Sequence, residues 1–354
     1  MTVDERLRDH QPIHYADVYE RPVFMQRWER LRHRQAHEVV QLIAEAWGVF
    51  SFCYPGVGAT AALIVGNTLG LQNYGSFLTI GFAYAMGIVF ALVTGASTSG
   101  GHINPGVTVT LVLFKGFPKW KGVRSRNVRY ILAQILGGYV ACLLVYVQWH
   151  NQIKQVEAML IANGTFDSVV FTSSGPAGIS GIYVAPGTNL GFVFVNELVA
   201  DFFIAMVIWT TLDPTNFSAP PAAGPWLVGL AYAAAVWAFA GAGLATNTAR
   251  DLGGRLAAMT IYGSGASGGH YAAITALANI LSTNAAYVMY ELVFKDSSRG
   301  IYHCYACFEA LPNSGHGTCR PRHGRVMNCA SADDGLRHKS RTAFVRHLQR
   351  GLTA

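Results

Sequence analysis

Long apolar stretches alternate with short charged stretches along this chain of 354 residues. The apolar stretches are almost free of Lys, Arg, Asp and Glu, and each has the roughly 20 residues that a helix needs to span the hydrocarbon core of a bilayer. They cover roughly residues 39–66, 76–96, 128–149, 190–212, 224–242 and 271–294. The pattern predicts an all-α membrane protein with six transmembrane helices.

Two polar breaks interrupt this pattern at matching places. The sequence "GHINPGVT" at 101–108 follows the second stretch, and an altered copy, "LATNTARDLGGRL" at 244–256, follows the fifth. Each half therefore contains two spans, an Asn-containing break and a third span. Because three spans per half reverse the orientation of the second half, the sequence predicts an inverted repeat whose breaks meet near the membrane midplane.

The breaks also predict local structure. Irregular backbone at membrane depth is tolerated only inside protein or along a water-filled cavity. Asn104 and Asn247 are favourable N-caps, and Pro105 suits the first position of a helix, so each break should begin a short half-helix. Two facing N-termini would place two positive dipole ends and two side-chain amides on one axis. Such a site donates hydrogen bonds to a passing oxygen and repels cations.

The distribution of charged residues predicts how the chain is oriented in the membrane. Only 13% of the residues are charged, against about a quarter in soluble domains. Lys and Arg are concentrated in residues 1–37, 115–129 and 295–354, whereas 66–75 has none and 151–189 has only Lys154. This bias predicts that both termini and the 115–129 connection are cytoplasmic. The net charge of +7 then lies next to anionic lipid and does not call for nucleic acid as a partner. The charged first 37 residues contain no visible signal peptide.

The two breaks, the segment "AQILGG" at 133–138 and the intraspan glutamates Glu45 and Glu197 together resemble the major intrinsic protein (aquaporin) family. The resemblance covers about residues 38–294. It implies an aquaporin-like right-handed bundle of six transmembrane helices and two re-entrant half-helices, assembled as a homotetramer with one pore per subunit. Outside this channel domain lie a cytoplasmic segment, 1–37, and a basic tail containing Cys and His, 295–354, which is expected to be disordered.

The paired Asn-Pro-Ala boxes of the family fall on Asn104–Pro105–Gly106 and Asn247–Thr248–Ala249. Thr248 lacks the preset φ of proline, and Gly106 lacks a methyl group at the contact between the boxes, so we expect a less tight central junction within an unchanged fold. Carboxylates at bilayer depth need partners. The resemblance implies that Glu45 and Glu197 brace backbone groups of the two half-helix loops; a proton relay is the alternative.

Counting from the two Asn residues carries the family's selectivity filter over to this chain. The predicted filter positions are Tyr84, Ala235, Leu244 and Arg250. The fixed charge of Arg250 should exclude cations while its donors orient a hydroxyl or water. Water-selective members usually have His at the Ala235 position, whereas Asp251 and Arg255 resemble the glycerol-conducting branch.

These residues predict a passive plasma-membrane channel for glycerol, other small neutral solutes and water, with no cofactor or metal and no enzymatic activity. A water-selective channel and a proton-coupled transporter are alternatives; the second would need an ionisable group that changes partners in the pore. A third alternative is an adhesion protein with a closed pore, but the connection 66–75 between the first two spans is short and does not favour it. "CYAC" at 304–307 with His303 and His316 could hold zinc, but the later Cys spacings match no finger pattern.

The orientation gives a testable prediction. "NGT" at 163–165 is a glycosylation sequon on the predicted outer side, and "NFS" at 216–218 is a sequon on the predicted cytoplasmic side. Asn163→Gln should remove a glycan from the protein expressed in a glycosylating cell, and Asn216→Gln should leave its gel mobility unchanged. A glycan on Asn216 would invert the orientation.

Overall fold

The predicted spans appear in the computed structural model, which describes residues 15–116 and 126–299. Within these residues six helices are long and apolar enough to cross a membrane, which confirms the predicted number. In chain order the helices are α1 Tyr15–Val18, α2 Val23–Arg34, α3 His37–Leu69, α4 Phe77–Ser99, α5 Pro105–Phe114, α6 Arg126–Gln148, α7 His150–Ala162, α8 Phe166–Val169, α9 Leu190–Thr211, α10 Gly224–Phe239, α11 Thr248–Tyr262 and α12 Gly269–Met289.

The helices repeat in the predicted order. Spans α3 and α4, half-helix α5 and span α6 form the first half; spans α9 and α10, half-helix α11 and span α12 form the second. Both half-helices pack against α6 and α12 and touch each other. The side of the bundle that carries Lys115, Arg126, Arg129 and Lys295 is called the basic face here. The side that carries the 149–189 connection is called the loop face.

Glycines let the helix backbones approach closely. A Cβ at Gly137 of α6 would overlap the backbone of Ala46 on α3, and a Cβ at Gly87 of α4 would overlap the backbone at Phe52. Gly253 of α11 lies against the backbone of α6 in the same way. Small residues at such positions increase van der Waals contact between helices in lipid, where no hydrophobic effect drives association.

The loop face is more ordered than its sequence suggests. A long connection was expected over 151–189, but α7 begins at His150, with only Trp149 between it and α6. Val156 of α7 packs in a buried cluster with Val65 of α3. Tyr262, at the end of α11, donates a hydrogen bond to Glu157 at 2.9 Å. These contacts tie the connection to both halves of the bundle.

Residues 15–37 belong to a compact unit separate from residues 38–299. In this unit α2 exposes Phe24 and Trp28, and Arg21 forms a 2.6 Å ion pair with Glu29. Residues 300–354, with their Cys and His residues, lie outside the described part of the chain, so the expectations for the tail remain predictions.

The contact at Gly137 can be tested by adding a methyl group. Gly137→Ala should lower the free energy of unfolding by about 1–3 kcal/mol, because the methyl group meets backbone that cannot move independently. Gly58→Ala is the matched control, since nothing lies within 4 Å of a Cβ there and alanine favours a helix. Thermal unfolding in detergent should separate the two variants, and equal melting temperatures would contradict this account of the contact.

Candidate functional site

Two left-handed residues precede the half-helices. Ile103 has φ of 41° and Thr246 has φ of 60°, and each immediately precedes the Asn of its break. For β-branched residues this conformation is strained, at a cost of about 1–3 kcal/mol each. It persists only where the surroundings hold it, and in both halves a buried glutamate supplies the partners.

Glu45 holds the first turn. Its carboxylate accepts hydrogen bonds from the backbone N–H groups of His102 at 3.0 Å and Ile103 at 2.8 Å. The Ser99 hydroxyl and the Gln134 amide donate to the same carboxylate, at 2.6 and 2.7 Å. Glu45 is completely buried, so its oxygens are paired with fixed donors of the protein.

Glu197 holds the second turn in the same way. It accepts hydrogen bonds from the backbone N–H of Ala245 at 2.9 Å and of Thr246 at 2.7 Å, and it is also completely buried. The hydrogen bonds that these two carboxylates accept come from fixed groups of the half-helix turns and their neighbours. This geometry is the bracing that the family resemblance implies.

The two Asn residues cap the half-helices. The Asn104 side-chain oxygen accepts from Gly106 N at 2.7 Å, and that of Asn247 accepts from Ala249 N at 2.9 Å. Their amide nitrogens differ. Asn247 donates to the carbonyl of Ile103 at 2.8 Å, which links the second break to the first, whereas Asn104 donates to the hydroxyl of Tyr232 at 3.2 Å.

Residues of α12 contact both positions that depart from the boxes, Thr248 and Gly106. The Thr248 hydroxyl donates to the carbonyl of Ala276 at 3.0 Å, which anchors the first residue of α11. A methyl group on Gly106 would lie 2.9 Å from Asn279 Oδ1 and 2.7 Å from Thr283 Oγ1, so those side chains fill the place of the absent methyl. The junction is therefore packed differently from the family pattern and is not left open at these two positions.

Arg250 is fixed by two acceptors from different parts of the chain. Its Nε donates to the Tyr84 hydroxyl at 3.0 Å, and its Nη1 donates to the Ser180 carbonyl at 2.8 Å. Gly254 makes the second bond possible, because a Cβ there would overlap the Ser180 carbonyl. No described residue accepts a hydrogen bond from the remaining nitrogen, Nη2.

A cavity of about 670 Å³ reaches these groups from the loop face. Tyr84, Leu244 and Arg250, three of the four predicted filter residues, line it. Ala235 does not line it, whereas the next residue, Val236, does. Ala235 is 1% exposed and belongs to the buried cluster that contains Leu244 and packs against Tyr84. The cavity wall combines the donors of Arg250 with apolar side chains, among them Phe52, Ile80 and Leu244.

Asp251 and Arg255 form a buried ion pair, with 2.6 Å between Arg255 Nη2 and Asp251 Oδ1. Arg255 also donates to the carbonyls of Ser267 and Ile182, each at 3.2 Å, and Asp251 accepts from Thr275 at 2.7 Å. Neither charged residue lines the cavity. They hold the loop-face segments that carry the cavity wall, so any effect on solute choice passes through the position of that wall.

Three residues of the site were missed by sequence reasoning. Tyr232 and Asn279 lie on spans among apolar neighbours, and nothing in the sequence marked them. The third, Gly56, makes room for the Tyr84 ring, which a Cβ there would overlap. A helix interior that contains a lone Tyr or Asn at bilayer depth is a usable signal, because such groups need polar partners. The described residues contain no cluster of three or more His, Cys, Asp or Glu side chains suited to a metal ion.

Comparisons with known proteins identify similar chains. A family model described as major intrinsic protein matches residues 32–283. An aquaporin of Laccaria bicolor is 47% identical over 289 residues, which cover 81% of this chain and 86% of the relative. Aquaglyceroporin-2 of Rhizophagus irregularis is 31% identical over 218 residues, 60% of this chain and 63% of the relative. The X-ray structure of the aquaglyceroporin from Plasmodium falciparum matches 72% of this chain and 96% of its own with a TM-score of 0.57; at 23% identity it shows the fold alone.

The anchor at Thr248 can be tested with two substitutions. Thr248→Val keeps the shape and loses the bond to Ala276, so it should lower the free energy of unfolding by about 0.5–1.5 kcal/mol. Thr248→Pro should be closer to wild type, because Asn247 is already extended, at φ −154° and ψ 116°, and proline suits the first helical position. Thermal unfolding of both variants checks this. A proline variant less stable than the valine variant would mean that the Thr248 N–H has a necessary partner.

Proposed function

Since this chain belongs to the major intrinsic protein family of membrane channels, we propose that it conducts glycerol, other small neutral solutes and water passively across its membrane. The observation that carries the proposal is the cavity of about 670 Å³ that leads from the loop face to Arg250. Its volume is large enough for a small polyol, and its wall contains both hydrogen-bond donors and apolar side chains.

Glycerol has hydroxyl groups along one edge and a carbon backbone along the other. The free Nη2 of Arg250 can donate to its hydroxyl oxygens, and the Tyr84 hydroxyl, which accepts from Arg250 Nε, keeps its own proton to donate. Leu244, Phe52 and Ile80 offer apolar surface to the backbone. Ala235 is buried next to this wall, in the cluster that contains Leu244 and packs against Tyr84.

A water-selective channel is the second candidate, and the apolar surface that Phe52, Ile80 and Leu244 give the cavity wall counts against it. A proton-coupled transporter needs a carboxylate that exchanges partners during transport. Glu45 and Glu197 instead accept hydrogen bonds from the backbone of the two turns, so exchanging partners would leave buried backbone N–H groups unpaired. The braced geometry therefore favours passive conduction.

The setting of the channel is part of the proposal. We place both termini and the basic face in the cytoplasm of a cell with the protein in its plasma membrane, because Lys115, Arg129 and Lys295 cluster there. The spans expose many large apolar side chains, among them Phe90, Val93 and Phe192. Lipid and further copies of the chain, in the homotetramer that the family implies, would cover them.

Flux measurements in proteoliposomes test the function. Stopped-flow light scattering should show that the wild-type protein passes both water and glycerol. Ala235→His would place an imidazole beside the filter, and we expect glycerol flux to fall roughly tenfold or more, as misfit in a shaped site commonly does, while water flux falls far less. Ala235→Ser, which keeps the volume, is the control and should behave like wild type. Equal loss of both fluxes in Ala235→His would remove Ala235 from the filter, and wild-type vesicles that pass water but not glycerol would favour the water-selective alternative.

A further inference from the structure

The amide donors of the two pore Asn residues are engaged differently. Asn247 donates to backbone, the Ile103 carbonyl at 2.8 Å, which belongs to the fixed turn of the other half. Asn104 donates to a side chain, the Tyr232 hydroxyl at 3.2 Å. A hydroxyl oxygen is also what water or a polyol would present to this amide. The phenol therefore holds the position that a permeating molecule would take on Asn104.

Tyr232 stands between the cavity and the Asn pair. It is among the residues that line the cavity, together with Thr246 and Arg250, whereas Asn104 and Asn247 are not. The Tyr232 side chain is only 7% exposed, and it also interacts with the Asn247 side chain. A solute that has passed Arg250 consequently meets the phenol before it reaches either amide.

The buried phenol next to the pore Asn is present in one half of the repeat only. Tyr232 precedes Asn247 by fifteen residues, and the residue that precedes Asn104 by fifteen is Val89. Both side chains are buried, at 7% and 3% exposure, so the substitution lies within the bundle and not on its lipid face. A valine in the first half shows that the fold itself does not need a phenol at this place in the repeat.

We propose that Tyr232 is a second specificity-determining residue, which narrows the centre of the pore and makes each permeating molecule exchange a hydrogen bond with its hydroxyl. The proposal rests on the proposed function, since it deepens the solute choice of the same pore. A molecule with a hydroxyl replaces the phenol on Asn104 without leaving the amide unpaired. A molecule of equal size that has no hydroxyl group leaves the buried Asn104 amide unpaired, which is unfavourable. The ring sets the size limit and the hydroxyl sets the chemistry.

Two substitutions separate the hydroxyl from the ring. Tyr232→Phe removes only the oxygen, which frees the Asn104 amide, and should raise water flux per folded channel by about threefold to tenfold, the range that one net hydrogen bond corresponds to. Tyr232→Val gives the second half the residue of the first, and should raise the flux of erythritol, a four-carbon polyol, at least about tenfold relative to that of glycerol, because a pore's diameter sets its size limit.

Tyr139→Phe is the matched control. Tyr139 shares a hydrogen bond with Thr260 at 3.2 Å on the exposed side of the bundle and does not line the cavity. Tyr139→Phe removes one phenol hydroxyl from a membrane span but leaves the cavity wall unchanged. Its water and glycerol fluxes should therefore equal those of wild type. All proteins are compared in vesicles of the same lipid, with the amount of folded channel measured by size-exclusion chromatography before reconstitution.

The outcomes distinguish this proposal from the proposed function. Water and glycerol fluxes of Tyr232→Phe within about 1.5-fold of wild type, in a conducting wild-type channel, would overturn the role of Tyr232 and leave the proposed function standing. The Phe variant keeps the ring and decides the matter even if Tyr232→Val does not fold. If the wild-type protein conducts neither water nor glycerol and Tyr232→Phe conducts them, the result would support the role of Tyr232 and count against free conduction by the native channel. If neither protein conducts, both proposals would be overturned.

Discussion

The hydrogen bonds from two backbone turns to Glu45 and Glu197 are the interactions on which the pore depends. Each left-handed residue costs about 1–3 kcal/mol, and each hydrogen bond to a charged group contributes about 1.5–3 kcal/mol, so two such bonds outweigh the strain. In return the buried carboxylates, which would be unfavourable alone in lipid, obtain the partners they need. The turn fixes the direction of the following half-helix, and with it the side-chain amide that caps it.

The cavity wall depends on contacts between segments that are distant in sequence. Arg250 is held by Tyr84 from the first half and by the Ser180 carbonyl from the loop face. That loop is itself fastened by Arg255, which reaches Ile182 and Ser267. The position of Arg250 is thus a property of the arrangement, since a change at Ser180, which does not itself line the cavity, would move an acceptor of Arg250.

Most of the fold could be predicted from the sequence because span length, Asn caps and the repeat are properties of single segments. The family resemblance implied Glu45 and Glu197 as braces and four filter positions, of which Tyr84, Leu244 and Arg250 line the cavity and Ala235 does not. The hydrogen bond between Asn104 and Tyr232 could not be predicted, since it depends on which way one side chain of α10 points into the bundle. The contact between Gly106 and Asn279 could not be predicted for a similar reason: the two residues are far apart in sequence and meet only when α5 packs on α12. Helix α7 looked like a connection because its apolar contacts lie with α3.

The unequal polarity of the half-helices has a consequence for biogenesis. Helix α5 is a short apolar helix, whereas α11 carries Arg250, Asp251 and Arg255, all at most 4% exposed in the folded protein. Each such charge costs about 2.5–3.5 kcal/mol at the centre of an isolated helix in the membrane. Several partners that stabilise α11 and its turn, Thr275, Ala276 and Asn279, belong to α12, which is synthesised later. We therefore expect α11 to take its buried position only after α12 has been synthesised, because its charged residues lack those partners before then.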